Sequence, residues 1–341
     1  MKKAVIAGAG LAGRLCAWRL ARAGWQVSLY DAARRGDTRS ASAVAAAMLS
    51  PLAELATSDL AVFELAQRAM VLWPQWLDEL HRDSGCAVYH RREGTLVLAH
   101  APDAGSLAQF EQALCRKLPA AHHGQVQRLQ GEAIGACEPL LAGRFERGLF
   151  LAGEGQLAND ELLHALAVAL TRLPVRWHEG EAVRSLKGLT DDADVLIDTR
   201  GLGARSDWPS LRGVRGELLM LECRGVSLRR PVRLMHPRYP LYVVPRPGHR
   251  FVVGATELES EDSGPISLRS TLELGSALHS LHPAFGEARV LHSAAALRPA
   301  LDDHRPALRR HEGVWQLNGL YRHGYLCAPA LVDSLMHTLS P

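Results

Sequence analysis

The chain has 341 residues, 47% apolar and 22% charged, and its 39 Lys and Arg nearly balance 36 Asp and Glu for a formal charge of +3. This composition predicts a folded protein of one large or two ordinary domains and excludes global disorder. No Lys/Arg-rich block with interleaved aromatics points to nucleic acid, and no run reaches the ~18 apolar residues of a membrane span.

The opening MKKAVIAGAG imitates a signal peptide in its two lysines, but the apolar run is short, broken by glycines and continued by a helical pattern. A cytoplasmic protein is the expectation. KKAVIAGAG predicts a buried parallel strand flowing into Gly8-x-Gly10-x-x-Gly13. Leu11, Leu15, Trp18 and Leu20 follow at helical spacing, Gly24 offers a stop, and WQVSLYD predicts a second strand ending at Asp31, 18 positions after Gly13. Strand, glycine turn, helix and acidic strand end together form a dinucleotide-binding unit. Gly8 permits the tight turn, Gly10 lets backbone approach a pyrophosphate, and Gly13 lets the helix pack closely. Free N–H groups at the helix start favour phosphate. Asp31 suits a ribose hydroxyl and disfavours a 2′-phosphate. Arg34 and Arg35 either flank an adenine or face solvent.

SASAVAAAMLSP (40–51) carries almost no side-chain bulk, which suits either close helix packing or a large ligand lying against it, and Ser42 is placed to cap a short helix. With the opening unit, this run resembles the D-amino acid oxidase type of flavoprotein, and within it the glycine oxidases linked to thiamine biosynthesis. Ala47 stands where that family often has Gly.

Residues 57–85 predict a long helix bent near Pro74. CAVYHRREGTLVLA predicts a hairpin around Glu93-Gly94, GSLAQFEQALCRKL a helix, and Asn159 or Asp160 the cap of another. VRWHEGEAVRSL reads as a β pair in which Val183 matches a family position near the adenine. ADVLIDTRGLGAR predicts a buried strand and a glycine-rich turn, Gly201 and Gly203, that approaches a cofactor from a second side. RGELLMLEC, RPVRLMHP, LYVVPRP and RFVVGATEL predict an antiparallel sheet, and ISLRSTLELGSALHSLHP a helix. His236 reads as a loop histidine. VWQLNG and APALVDSLMHTL predict the last strand and last helix. The six cysteines (Cys16, Cys86, Cys115, Cys137, Cys223 and Cys327) lack C-x-x-C or zinc-ligand spacing and read as free thiols, with no metal site.

The resemblance covers nearly the whole chain. It implies an α/β protein: a Rossmann-type FAD-binding domain (1–80, 145–212 and 290–341) interwoven with a substrate domain on a mainly antiparallel sheet (81–144 and 213–289). It implies FAD held by Gly8, Gly10, Leu11, Ala12, Gly13, Asp31, Ala32, Ser42, Ala43, Ala46, Ala47, Met48, Leu49, Val183, Gly201, Gly203, Arg298, Arg322, His323, Gly324, Tyr325 and Leu326. Some relatives attach FAD through a Cys near the segment matching Leu297-Arg298; no Cys lies there, so non-covalent FAD is expected.

Arg298 in AAALRPAL sits in an apolar setting and needs a partner. It matches the family arginine that grips the substrate carboxylate, a two-pronged task for which Lys is no substitute. Tyr242 matches a tyrosine reaching the same carboxylate, and Arg322 is expected to share it, with a structural ion pair as the other reading. Glu257 falls beside the substrate side chain, where it either attracts an ammonium or ends a strand in solvent. His323 replaces a common Asn beside the flavin and is expected to shift its potential or pH profile. The implied reaction is oxidation of a small amino acid or amine, with hydride passing from Cα to flavin and O₂ as acceptor. A D-amino acid dehydrogenase using a quinone or protein acceptor and a flavin-binding protein without turnover are the alternatives. Oligomeric state stays open.

Overall fold

A computed structural model describes residues 1–186, 193–236 and 241–339. The first strand, Lys3–Ala7, lies between Gln26–Asp31 and Val195–Asp198, all parallel. Val175–Glu179 extends this sheet on one side, while Val314–Asn318 and then antiparallel Ala307–His311 extend it on the other. Within Lys3–Ala7, Ala4, Ile6 and Ala7 are buried and Lys3 and Val5 half-buried, as a central parallel strand requires. The helices Leu11–Arg22, Leu60–Ser84, Asn159–Arg172 and Gly324–Leu339 pack together over this sheet. Their apolar stripes, with Leu15, Trp18, Trp73, Leu166 and Leu331, form one core.

A second, eight-stranded sheet runs in the order Arg289–Ala300, Arg212–Glu222, Arg250–Gly254, Leu241–Arg246, Val232–Leu234, Thr95–Leu98, Arg147–Leu151 and Val126–Gln130. It is antiparallel except where Val232–Leu234 meets Thr95–Leu98. The helix Leu268–Leu281, capped by Ser267, covers part of it. Arg147–Leu151 and Arg289–Ala300 belong to this sheet, although the first and all but Arg289 of the second fall in segments that the sequence assigned to the cofactor domain. Among the described residues no helix is long and apolar enough to cross a membrane.

Several local expectations are corrected. Residues 90–98 form no hairpin: His90–Arg91 joins a small sheet with Met48–Leu49 and Gly155–Leu157, and Thr95–Leu98 joins the large one. Neither Asn159 nor Asp160 caps a helix. Ala158 holds that position, and Asn159 Nδ2 instead donates to the carbonyls of Ser42 and Ala43, at 3.4 and 2.8 Å. Ser42 caps nothing either, since residues 40–44 are a turn in which Ser40 Oγ accepts from Ala43 N. VRWHEGEAVRSL makes one strand, not two, because Gly180 turns the chain at φ +78°. Leu60–Ser84 is one helix with Pro74 inside it, stopped by left-handed Gly85.

Candidate active site

The two sheets meet along an elongated cavity of about 810 Å³, within the roughly 300–1,000 Å³ of sites that enclose a whole ligand. One end begins at the glycine turn. Gly8 has φ +98°, and a Cβ there would sit 2.5 Å from the Thr199 carbonyl oxygen. A Cβ on Gly13 would lie 1.7 Å from Gly8 O, so the helix packs against the turn as its spacing predicts. Gly10 differs: a Cβ there would find only Ser42 Oγ, at 3.7 Å. Its bareness opens the cavity rather than the packing.

Gly8, Gly10, Leu11, Ala12, Asp31, Ser42, Ala46, Ala47, Met48, Gly201, Gly203, Arg298, Arg322, Gly324, Tyr325 and Leu326 all line this space. Other expected residues do not. Ala32 is exposed and Ala33 lines the cavity instead. Gly13 sits behind the turn, while Ala43 and Leu49 pack in or against the core. Val183 packs beside Leu186 and Leu196, and its carbonyl accepts from Arg200 Nη1 at 2.9 Å. Arg35 pairs with Glu179 and lies over Trp177, away from an adenine role.

Asp31 Oδ2 accepts from Ala9 N, and Oδ1 accepts from Ala33 N at 2.7 Å, which ties the strand end to the glycine turn. Ala47 has φ +47°, a left-handed conformation that explains why glycine is common at the matching family position. Asn318 Nδ2 donates to Gly201 O at 2.9 Å, and Tyr325 Oη donates to Ser42 O at 2.7 Å. These bonds clamp both cavity walls without filling it. A bare glycine turn, a small-residue wall and a helix N-terminus at Gly324 suit a dinucleotide that reaches from Asp31 toward Arg298.

At the far end Arg298 crosses its neighbouring strand over Gly216, where a Cβ would lie 2.1 Å from the guanidinium. Its Nη1 and Nη2 each donate to Thr256 O at 3.2 Å. Among the described residues Arg298 has no carboxylate within ion-pair distance, so its charge is turned to the cavity unneutralised. Tyr242 lines the same end, and its hydroxyl has no hydrogen-bond partner among the described residues. Burial pushes the Tyr242 phenol up, keeping it a donor.

Arg322 is different. Its Nε lies 2.8 Å from Glu54 Oε2, its Nη1 2.9 Å from Glu257 Oε2, and its Nη2 donates to Thr57 Oγ1. Glu54, more than Glu257, raises its pKa. Of the two readings of Arg322, a shared substrate carboxylate or a structural ion pair, this geometry matches the ion pair, although Arg322 still lines the cavity. Glu257 is exposed, as one of its two readings had it, but it is not an open ammonium site, because Arg322 Nη1 and Tyr321 Oη both donate to it. Burial would raise the Glu257 carboxyl, but Tyr321 and Arg322 hold it below its ordinary value. His323 does not reach the cavity. It is buried, with Nδ1 3.4 Å from Glu54 Oε2 and no hydrogen bond made there. It is buried behind Glu54, so the structure does not bring it to the cavity face that the resemblance implied.

Sequence reasoning missed Glu54, Arg233 and Tyr321. Glu54 Oε1 also receives Arg233 Nη2 at 2.9 Å. Burial would raise the Glu54 carboxyl; Arg322, His323 and Arg233 overcome it and hold it well below the usual carboxylate range. An acidic residue seven positions beyond Ala47, the last of the alanine run, was the one available signal. Among the described residues no group of His, Cys, Asp and Glu could hold a metal ion.

The family described as FAD dependent oxidoreductase (DAO) matches residues 3–333. A Rhizobium etli protein named for thiamine biosynthesis as the oxidoreductase ThiO is 39% identical over 98% of this chain and 95% of its own length. Glycine oxidase of Geobacillus kaustophilus is 27% identical over 95% of this chain and 89% of its own. The crystal structure of glycine oxidase from Geobacillus kaustophilus superposes with a TM-score of 0.84 at 25% identity, covering 99% of this chain and 95% of the other.

Proposed function

The chain belongs to the FAD-dependent oxidoreductase family, and from that premise we propose that it oxidises a small amino acid of the glycine or sarcosine type. The observation that carries this reading is the Arg298 guanidinium facing the cavity beside the Tyr242 hydroxyl, the one without an ion-pair partner and the other without a hydrogen-bond partner among the described residues.

Bound FAD supplies a two-electron acceptor for the substrate Cα hydrogen. Gly10, Ala46 and Ala47 would leave room for its phosphates and chain, with Asp31 at the nucleotide end. Arg298 grips the substrate carboxylate with two parallel donors, and Tyr242 adds a third from across the cleft. The carboxylate thereby fixes the orientation of Cα, and orientation is worth several kcal/mol of barrier. The N-terminus of helix Gly324–Leu339 opens on the cavity and favours negative charge developing there. No side chain is needed as base if the substrate amine enters neutral. The amino acid loses two hydrogens to give an imine, which takes up water and releases ammonia and the oxo acid; O₂ takes the two electrons and two protons as hydrogen peroxide. The likeness to a protein named for thiamine biosynthesis favours a place in thiazole assembly, where the imine itself would be consumed.

The test is anaerobic mixing of the holoenzyme with glycine, sarcosine and D-amino acids while the visible flavin band is followed. Bleaching by glycine or sarcosine, with one peroxide per turnover in air, is expected. Bleaching without peroxide would favour a dehydrogenase, and bleaching by no amine would overturn the reading.

A further inference from the structure

The substrate end of the cavity carries more charge than one carboxylate needs. Among the described residues three guanidinium groups line it, those of Arg233, Arg298 and Arg322, together with the carboxylates of Glu54 and Glu257. Glu217 also reaches the wall, but Arg215 pairs with it at 2.7 Å from behind. The remaining charges form a chain. Arg233 Nη2 meets Glu54 Oε1 at 2.9 Å, Glu54 Oε2 meets Arg322 Nε at 2.8 Å, and Arg322 Nη1 meets Glu257 Oε2 at 2.9 Å. Two cations and two anions alternate and cancel. Arg298, outside the chain, leaves a single uncompensated positive charge among the described residues.

Glu257 is the end of that chain and its most exposed member, with 46% of its side chain open against 28% for Arg322 and 12% for Glu54. Remove its charge and Arg322 keeps Glu54 on Nε but faces the cavity with Nη1 unpaired. The site would then hold two uncompensated charges, enough for two carboxylates. With Glu257 ionised, a second substrate carboxylate meets a like charge and finds no free guanidinium. Selection against a ligand works through such repulsion as much as through attraction to the right one.

We propose that Glu257 is a specificity-determining residue that restricts the site to substrates with a single carboxylate, by occupying Arg322. The proposal rests on the reading of Arg298 as the carboxylate anchor. Glu257 does this without touching the reacting atoms, and Tyr321, whose hydroxyl donates to it, fixes its orientation.

Malonate and malonamate test it, because they share a shape and differ in one charge. Each is measured as a competitive inhibitor against glycine with the holoenzyme, for the unaltered protein, Glu257→Gln, Glu257→Asp and Arg298→Lys. Gln keeps an acceptor for Tyr321 and removes the charge. Malonamate is expected to bind at least about tenfold better than malonate in the unaltered protein, a gap of about 1.4 kcal/mol. That preference should collapse or invert in Glu257→Gln and return in Glu257→Asp, a pattern that mere loosening of the fold would not give. Equal inhibition by the two compounds in the unaltered protein, a preference untouched by Glu257→Gln, or no inhibition by either compound would overturn the proposal. A malonamate constant unchanged by Arg298→Lys would overturn the anchor reading and this proposal with it; an Arg298-dependent constant with a preference indifferent to Glu257 would overturn this proposal alone.

Discussion

Glu54 Oε2 lies 2.8 Å from Arg322 Nε, and together with Glu257 on Nη1 it takes Arg322 out of the set of groups free to receive a ligand. Arg298, whose donors meet carbonyls alone, remains. The two arginines therefore respond differently to the same substitution. Arg298→Lys removes one prong of a charged pair worth about 1.5–3 kcal/mol, so KM for glycine should rise about ten- to a hundredfold with FAD retained. Arg322→Lys should change KM clearly less and lower the melting temperature more. Steady-state kinetics and the flavin absorbance of the purified variants decide it.

Ala47 offers a stabilising change. Its φ of +47° places an L side chain in the left-handed region, at a cost of about 1–2 kcal/mol that glycine does not bear. Glycine loses more freedom on folding, which offsets up to about 1 kcal/mol. Ala47→Gly should raise the melting temperature of the holoenzyme slightly, and a fall would mean that the methyl packs usefully in the cavity wall.

Much of this was legible in the sequence, and the reason is locality. The glycine turn, its helix and Asp31 lie within one short segment, so spacing alone carries the geometry. Arg298 was legible because a cation between Leu297 and Pro299 is conspicuous. The ion-pair chain was not, because Glu54, Arg233, Glu257 and Arg322 come from four distant segments and meet only in the fold. The same distance explains the errors. Arg322 and His323 sit in one polar hinge, and periodicity cannot tell that Glu54 waits on the far side of it. Asn159 looked like a helix cap because caps are local, yet it spends its amide on the Ser42 and Ala43 carbonyls.

Glu154 predicts a pH dependence of stability. Its carboxyl is fully buried, bonded through Oε1 to Ala53 N at 2.7 Å, with Oε2 unpartnered. Burial pushes its pKa up to about 7. A carboxyl raised on folding contributes its full share of stability below the unfolded value near 4.5 and loses it as pH rises toward 7. The loss above pH 7 is on the order of 3 kcal/mol for a shift of this size. Melting temperature should fall between pH 5 and 8 by about 5 °C or more. Glu154→Gln, which stays neutral, should flatten that slope and be the more stable protein at pH 8.

Gly10 separates binding from folding. At Gly8 and Gly13 a side chain would strike backbone, so substitutions there damage the fold itself. Gly10 has an ordinary φ of −68° and open space where a Cβ would stand, so a side chain is tolerated by the chain and intrudes on the cavity. Gly10→Leu should therefore fold, with far-ultraviolet circular dichroism like that of the unaltered protein stripped of FAD. Its affinity for FAD should fall at least about a hundredfold, since the backbone N–H groups of the helix start can no longer reach a pyrophosphate. Fluorescence titration with FAD measures the loss directly. Tight FAD binding by Gly10→Leu would mean that the dinucleotide does not cross the glycine turn, and the assignment of this end of the cavity would fall with it.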